Sequence, residues 1–222
     1  MMRKKITLFF DLDGTLIDVS KRQYFLYVNE CILLCIPFLS YSRYWKLKRE
    51  KIDEKKILQK TCSLSKTKIN ESIKWRLQNI ENSMMMSHDS LFPRCAFTLK
   101  MLSKKYNLQI ITSRVSHVKT KKQLEMFRIL KLFNTINVFG NKKFQKGIRM
   151  IDKKSSMIIG DTELDYFLAK KLKIPFIFAS YGIRTPQKLR QIIGKKPDFT
   201  ISRISDLSDF YIKKVSSFNN HR

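Results

Sequence analysis

Six short stretches of the chain are almost continuously apolar, and polar or turn-forming residues bound each of them. A strand with one face in water alternates apolar and polar residues, whereas a parallel strand covered on both faces is apolar throughout. The stretches therefore predict buried strands, at residues 6–10, 108–112, 136–140, 156–160, 175–180 and 198–202.

Helical patterns lie between the later strands. Apolar residues recur three and four positions apart in residues 93–106, 118–133 and 162–173, which is the spacing of one helix face. Strands that alternate with helices along the chain are typical of a parallel sheet covered by helices on both sides. We therefore expect an α/β fold with a doubly wound, mostly parallel, Rossmann-like sheet.

The region from residue 20 to residue 92 breaks this alternation, because it contains no convincing strand. Its pattern predicts helices at about 21–36, 41–60 and 66–82. We therefore expect two parts: an α/β core made of residues 1–19 and 93–222, and an all-helical cap, residues 20–92, inserted after the first strand.

The most apolar part of this region is "YFLYVNECILLCIPFLSY", residues 24–41. It contains Asn29, Glu30 and Pro37, which make it a poor membrane-spanning helix. A buried helix is the favoured interpretation. Partial insertion at a membrane surface is the alternative, because the chain around this segment is so basic.

The chain carries 45 lysines and arginines against 18 acidic residues, a formal net charge of +27. Such a field favours anionic ligands: nucleic acid, acidic lipid or phosphorylated metabolites. The basic residues are scattered along the chain rather than gathered in a tail, so a general compositional bias is the slightly favoured explanation of the charge.

The four cysteines, Cys31, Cys35, Cys62 and Cys95, form no Cys-x-x-Cys pair, and they predict neither a metal site nor a disulfide framework. Acidic residues interrupt the first apolar run, so the N-terminus does not look like a secretory signal. We therefore expect a cytoplasmic protein without a transmembrane segment.

Polar side chains follow several of the predicted strands. Asp11 and Asp13 come after the first strand, Thr112 and Ser113 end the second, and Asp161 and Asp165 follow the fourth. The carboxyl ends of parallel strands meet at one edge of a sheet, so these residues should lie together. Converging carboxylates need a cation, and an all-oxygen ligand set suits Mg²⁺.

Such a group of residues fits phosphoryl transfer. A carboxylate beside Mg²⁺ can attack phosphorus, and a second carboxylate can donate a proton to the leaving oxygen. A hydroxyl and a lysine can hold the phosphoryl oxygens.

Four segments occur in a recognisable order: "DLDGT" (11–15), "IITS" (110–113), a lysine within 142–146, and "GDTELD" (160–165). Together they resemble the haloacid dehalogenase superfamily. The resemblance is to its phosphatase-like, phosphoglycolate phosphatase-like members, which carry a helical cap after the first strand. It extends over nearly the whole chain.

The resemblance implies a role for each aspartate. Asp11 would be the nucleophile and a Mg²⁺ ligand, and Asp13 the general acid and base, with its backbone carbonyl also on the metal. Asp161 would be the other metal carboxylate, and Asp165 would support the metal's waters or orient the lysine. A carboxylate at Asp13 also separates phosphoryl-transfer members from dehalogenating ones.

The phosphate-binding residues implied by the resemblance are Thr112, Ser113 and a lysine. Among the lysines we prefer Lys146, because "KGIRMI" resembles the family's lysine followed by an apolar helix face; Lys143 is the second choice. Arg114 beside the site is left open between a substrate contact and a surface role.

The expected function is a Mg²⁺-dependent phosphomonoester hydrolase that acts on a small phosphorylated metabolite through an aspartyl-phosphate. A phosphomutase or phosphotransferase of the same superfamily is an alternative, since an alcohol would only replace water as the acceptor. The +27 charge makes a phosphatase acting on nucleic-acid ends a further, less favoured alternative. A non-enzymatic binding module ranks last, because all four segments look intact.

Overall fold

A computed structural model describes residues 5–61, 64–152 and 155–219, so Cys62 lies outside the described residues. Its strands are β1 (Thr7–Phe10), β2 (Ile17–Asp18), β3 (Ser90–Leu91), β4 (Asn107–Thr112), β5 (Thr135–Val138), β6 (Ser156–Gly160), β7 (Phe176–Ala179) and β8 (Phe199–Ile201). Six of them form one sheet in the order β5-β4-β1-β6-β7-β8, and every pair in it is parallel. The predicted α/β fold class is thereby confirmed.

The central strand β1 shows why these runs are apolar throughout. Leu8 and Phe10 point to one side of the sheet and join one hydrophobic cluster, whereas Phe9 points to the other side and joins a second. All three are buried. Both faces of the sheet are therefore covered, and the six predicted strands match the observed ones to within two residues at each end.

The helices of the region after β2 are α1 (Ser20–Leu33), α2 (Tyr41–Arg49), α3 (Glu54–Thr61), α4 (Lys66–Asn79) and α5 (Ser83–Met86). The helices of the sheet region are α6 (Cys95–Ser103), α7 (His117–Met126), α8 (Lys143–Met150), α9 (Glu163–Leu172), α10 (Pro186–Ile193) and α11 (Asp209–Asn219). We call the segment that carries α1 to α5 the helical insert.

Two predicted helices are interrupted in the structure. The helix predicted over 41–60 stops where Lys51 adopts a left-handed conformation (φ 61°) and the Ile52 amide bonds back to the Leu47 carbonyl. The helix predicted over 118–133 stops in the same way at Arg128 (φ 57°). Glycine usually occupies this position, so neither end has its usual signal in the sequence.

The insert has a hydrophobic core of its own. Tyr27, Cys31, Tyr44, Ile57 and Leu58 are fully buried in one cluster that is separate from the two clusters of the sheet. Beside it lies an ionic network, in which the buried side chains of Arg76, Glu30, Glu54 and Tyr44 are joined by hydrogen bonds and ion pairs. Within the described ranges, no helix is both long enough and apolar enough to cross a bilayer.

Of the contacts between the insert and the sheet region, two show where the insert lies. The antiparallel pair β2–β3 holds its two connecting segments side by side, with Ile17 opposite Leu91. At the second place, the C-terminal end of α2 meets the loop after β7, where Arg49 donates to the Ser180 carbonyl at 2.9 Å and Arg184 donates to the Lys48 carbonyl at 3.2 Å. The insert therefore lies over the edge of the sheet where the strands end.

Candidate active site

The loop that follows β1 holds Asp11 at the end of the strand. The Asp11 amide donates to the Ile159 carbonyl at 2.9 Å, which extends the pairing of β1 with β6 by one residue. Gly14 then turns the chain with φ 88°, and a Cβ there would lie 2.2 Å from the Asp161 carboxylate. The glycine of "DLDGT" is therefore required both by its conformation and by the close approach of Asp161.

Three buried carboxylates meet beyond the strand ends. Carboxylate oxygens of Asp11, Asp161 and Asp165 all lie within 4.8 Å of one another. Burial, together with the neighbouring carboxylates, raises the pKa of Asp11 to about 7 and raises the pKa of Asp161 well above its usual value. Polar groups also hold Asp161, which accepts from the Ile183 amide at 2.6 Å and from Thr15 Oγ1 at 3.2 Å.

Lys143 is the lysine that the structure brings to this cluster. It begins α8, it is almost fully buried, and its Nζ donates to Asp11 Oδ1 and, at 2.7 Å, to Asp165 Oδ1. Burial alone would lower the pKa of Lys143, but the two carboxylates outweigh it and raise the pKa above its usual value. The ammonium group is therefore a permanent cation beside Asp11.

Lys146, which the sequence favoured, lies elsewhere. It is exposed, and its Nζ lies 5.3 Å from the centre of the Phe139 ring. Lys143 and Gly147 are one turn apart on the face of α8 that packs inward, where a Cβ on Gly147 would lie 2.8 Å from Leu168. Lys146 is off that face, so the preference for it over Lys143 has to be reversed.

Asp165 has a double role at the start of α9. Its Oδ2 accepts from the amide and the hydroxyl of Thr162, at 3.2 and 2.8 Å, while its Oδ1 accepts from Lys143. Both carboxylate oxygens are therefore used by protein donors. This arrangement fits the expectation that Asp165 orients the lysine.

The residues at the end of β4 are placed differently from each other. Thr112 is buried, and its Oγ1 accepts from the Arg114 amide at 3.3 Å, whereas Ser113 is exposed. Both lie at the carboxyl end of a strand next to β1, at the same edge of the sheet as the carboxylates.

The Asp13 side chain is held by two arginines rather than by the carboxylate cluster. Arg114 donates to its Oδ1 from Nε at 3.0 Å and Nη2 at 2.5 Å, and Arg22 of the insert donates to its Oδ2 at 2.7 Å. Burial alone would raise the pKa of Asp13, but Arg114 and Arg22 outweigh it and hold the pKa well below its usual range. Only the backbone carbonyl of Asp13 is then left for a metal.

The two arginines are themselves fixed by a buried polar pair. Gln123 accepts from Arg114 Nη1 at 2.6 Å and donates to Asp89 Oδ2 at 2.8 Å, and Asp89 Oδ1 lies 3.2 Å from Arg22 Nε. The sequence left Arg114 undecided and did not single out Arg22. No local signal marks Arg22, since a lysine- and arginine-rich helix start is ordinarily exposed.

The carboxylate cluster fits a hard divalent cation. Its ligands are all oxygens and its members are buried. Burial raises the pKa values of Asp11 and Asp161, so a bound cation would favour their ionised forms. Asp11, Asp161 and the Asp13 carbonyl could hold Mg²⁺.

This arrangement predicts that Mg²⁺ binding weakens in acid. Below pH 7 protons compete for Asp11, whose pKa is raised to about 7, and for Asp161, whose pKa is also raised, so the Mg²⁺ affinity should fall by at least about tenfold per pH unit there. Isothermal titration in two buffers of different ionisation enthalpy should show more proton release on binding at pH 6 than at pH 8. Asp161→Asn should weaken binding at both pH values; an affinity that does not change with pH would contradict this assignment.

The comparisons with known proteins agree with this geometry. A family model described as "Haloacid dehalogenase-like hydrolase" matches residues 8–179, which is most of the chain and includes Asp11, Lys143 and Asp161. The chain belongs to the haloacid dehalogenase-like hydrolases. The resemblance inferred from the four segments is confirmed, and the protein is an enzyme of the hydrolase class.

The haloacid dehalogenase-like hydrolase has curated and structural relatives. A phosphoglycolate phosphatase of Aquifex aeolicus is 26% identical over 211 residues, 89% of this chain and 92% of the relative. A hydrolase of the same family from Streptococcus pneumoniae superposes with a TM-score of 0.73 at 19% identity, over 96% and 98% of the two chains. A hydrolase of the same family from Geobacter sulfurreducens superposes with a TM-score of 0.68 at 14% identity, over 93% of this chain and 96% of the other. These structures support the fold.

In this haloacid dehalogenase-like hydrolase, the fourth segment also anchors the insert. Glu163 of "GDTELD" accepts from Arg184 Nε at 2.8 Å and pairs with Lys51 of the insert at 2.9 Å. Thr185 in the same loop donates to Glu50 of the insert at 3.2 Å. These contacts hold the end of α2 next to the loop whose Ile183 amide binds Asp161.

Proposed function

We propose that this hydrolase is a Mg²⁺-dependent phosphomonoesterase that acts on a small phosphorylated metabolite through an aspartyl-phosphate on Asp11. The observation that carries the proposal is the buried contact of the Lys143 ammonium group with Asp11 Oδ1, at the edge of a cluster that includes Asp161. The name of the phosphoglycolate phosphatase relative supports the reaction class.

Mg²⁺ would be held by Asp11, Asp161 and the Asp13 carbonyl. When bound, it would offset the negative charge of the phosphoryl group and of the buried carboxylates. A relative of the same fold from Bacillus subtilis, YfnB, was solved bound to magnesium (TM-score 0.63, 18% identity, over 95% of this chain and 100% of that chain).

The chain's own residues would divide the chemistry. An Asp11 oxygen attacks phosphorus while the bond to the leaving oxygen breaks, and Asp13 gives that oxygen its proton. Thr112, Ser113 and Lys143 hold the phosphoryl oxygens, and Lys143 favours the ionised form of Asp11. In the second half, Asp13 takes a proton from the water that releases phosphate from Asp11.

The arginine contacts of Asp13 affect both halves of this cycle. Arg22 and Arg114 keep Asp13 ionised but also make it a weak base, so both the gain and the donation of a proton require these contacts to loosen. Because Arg22 belongs to the insert, movement of the insert is the natural way to release it. We propose residues 20–92 as a cap that opens and closes over a core of residues 1–19 and 93–222.

Asp13→Asn is expected to lower kcat by about 10²- to 10⁴-fold, because the amide cannot exchange the proton. Mg²⁺ affinity should change little, since Asp13 would bind the metal through its backbone. Steady-state kinetics and metal titration of the same variant measure both. Glu125→Gln, an exposed carboxylate changed in the same way, is the matched control; equal losses in the two variants would contradict the role of Asp13.

A panel of phosphorylated substrates tests the proposal as a whole. We expect Mg²⁺-dependent release of phosphate from p-nitrophenyl phosphate and from at least one small metabolite, abolished by a chelator and restored by Mg²⁺. The panel should include 5′-phosphorylated oligonucleotides, because the +27 charge favours anions of every size. No turnover, or turnover confined to oligonucleotides, would overturn the proposal.

A further inference from the structure

An apolar turn projects from the far end of the helical insert. After α1 ends, Cys35 adopts a left-handed conformation (φ 53°), and the Ile36 amide bonds back to the Cys31 carbonyl at 2.9 Å. The chain then returns along α1, where the Leu39 amide donates to the Tyr27 hydroxyl at 3.0 Å. Residues 32–38 therefore form a fixed turn, which we call the apical turn.

The apical turn has two apolar sides. Leu34 and Ile36, together with Leu39 just after the turn, pack against the core of the insert. Ile32, Leu33 and Phe38 point outward and are 59%, 63% and 52% exposed. The outward side chains thus present large apolar groups to water and are not part of the core of the insert.

Lysines flank the apical turn. Lys68, at the start of α4, lines a cleft with Leu33, Leu34, Trp75 and the acidic Glu71. Lys66 precedes it in the same exposed turn of α4.

Lys60, in the last turn of α3, is exposed one residue before Thr61. The Thr61 hydroxyl lies 3.3 Å from that of Tyr27, which places the end of α3 beside the same part of α1. This end of the insert therefore combines exposed apolar groups with three exposed lysines, against one acidic residue, Glu71, in the cleft.

Of the surfaces that could cover this turn, an anionic bilayer is the best match. A second copy of the chain would bring two positive patches together in a protein whose net charge is +27. Nucleic acid would complement the charge of the lysines but would not cover the apolar side chains. An anionic lipid surface complements both, because apolar side chains enter the interface while lysines contact the headgroups.

We propose that the apical turn docks this hydrolase on an anionic membrane surface, with Ile32, Leu33 and Phe38 inserted and Lys60, Lys66 and Lys68 on the headgroups. Helix α1 leads from Arg22, next to Asp13, to Leu33 at the turn. Its 14 residues separate the two ends by about 20 Å. The candidate active site therefore stays clear of the membrane.

Sedimentation with vesicles tests the proposal on the full chain. Vesicles of phosphatidylcholine mixed with phosphatidylglycerol should bind the protein at least tenfold more tightly than vesicles of phosphatidylcholine alone. The triple variant Ile32→Ser/Leu33→Ser/Phe38→Ser should lose at least tenfold of the binding to the anionic vesicles. Lys66→Gln and Lys68→Gln should each lose about fivefold, the effect of about 1 kcal/mol per lysine.

The matched control is Phe97→Ser/Met101→Ser/Phe210→Ser, which removes three exposed apolar groups from the sheet region without altering the charge. It should bind anionic vesicles within twofold of the unmodified protein. The circular dichroism spectrum and the thermal unfolding temperature of all these variants should match those of the unmodified protein, which shows that they fold and keeps this test separate from that of the proposed function.

Quenching of Trp75 fluorescence provides a second readout. In a Trp45→Phe background Trp75 is the remaining tryptophan of the two in the chain, and it lies beside Leu33. Lipids brominated in their acyl chains should quench it when anionic vesicles are added.

Three results would overturn the proposal: no binding to anionic vesicles at low salt, equal binding by the apical-turn variant, or a dimer in sedimentation velocity that this variant dissociates. Equal binding by the variant would mean that the overall charge causes the binding. A dimer that the variant dissociates would mean that the turn binds a second copy of the chain.

Discussion

Replacing Lys143 by alanine is expected to lower kcat/KM by about 10³-fold, whereas Lys146→Ala, three positions along the same helix, leaves it within twofold. The Lys143 ammonium group is buried against Asp11 and Asp165, where a positive charge is worth far more than in water. Lys146 is exposed over Phe139. Steady-state kinetics of the two variants, measured side by side, decides which lysine belongs to the site.

Loss of a buried cation also affects folding, so the Lys143 variant needs its own control. An unpaired buried carboxylate destabilises a protein by about 3–5 kcal/mol. Lys143→Gln, which keeps a hydrogen-bond donor, and thermal unfolding with and without Mg²⁺ separate a folding defect from a catalytic one. If Lys146→Ala were as damaging as Lys143→Ala in folded protein, the assignment of Lys143 would be wrong.

Asp11→Asn is expected to lower kcat by roughly 10⁴-fold or more, because the amide is isosteric with the carboxylate but is not a nucleophile. Neither of the other two carboxylates of the cluster is free to replace it: Asp161 is engaged by Ile183 and Thr15, and Asp165 by Thr162 and Lys143. Single-turnover kinetics measures the loss, and circular dichroism checks the fold. A variant that retained a tenth of the activity would exclude Asp11 as the nucleophile.

The sheet could be predicted from the sequence because burial on both faces forces its strands to be apolar throughout. Residues such as Leu8 and Phe9 point to opposite faces of the sheet and are both buried, so both positions are apolar in the sequence. The location of the aspartates could also be predicted, since a position directly after a strand fixes which edge of the sheet they occupy.

The choice of lysine could not be made in the same way. It depends on which face of α8 packs inward, and that face is set by the fit of Gly147 against Leu168 and Ile111. The apolar positions after Lys146 suggested a different face. Contacts between α8 and its neighbours determine which face packs inward, and the spacing of apolar residues within the helix does not reveal those contacts.

Arg22 was missed for a related reason. Its partners, Asp13 and Asp89, come from outside the helix that carries it, and only the folded chain brings them together. The sequence placed Asp13 with the other aspartates, but it did not indicate that two arginines would bind the Asp13 side chain. Long-range ion pairs of this kind have no periodic signature along the sequence.

The central claim is that the phosphoryl group passes through Asp11, and trapping that intermediate tests it most directly. Protein quenched during turnover with Mg²⁺ and substrate is treated with borohydride, which reduces an aspartyl-phosphate to homoserine, and the peptide that contains residue 11 is examined by mass spectrometry. The proposed mechanism predicts homoserine at position 11, dependent on substrate and on Mg²⁺. Turnover that leaves Asp11 unmodified, or homoserine at Asp161 or Asp165 instead, would contradict it.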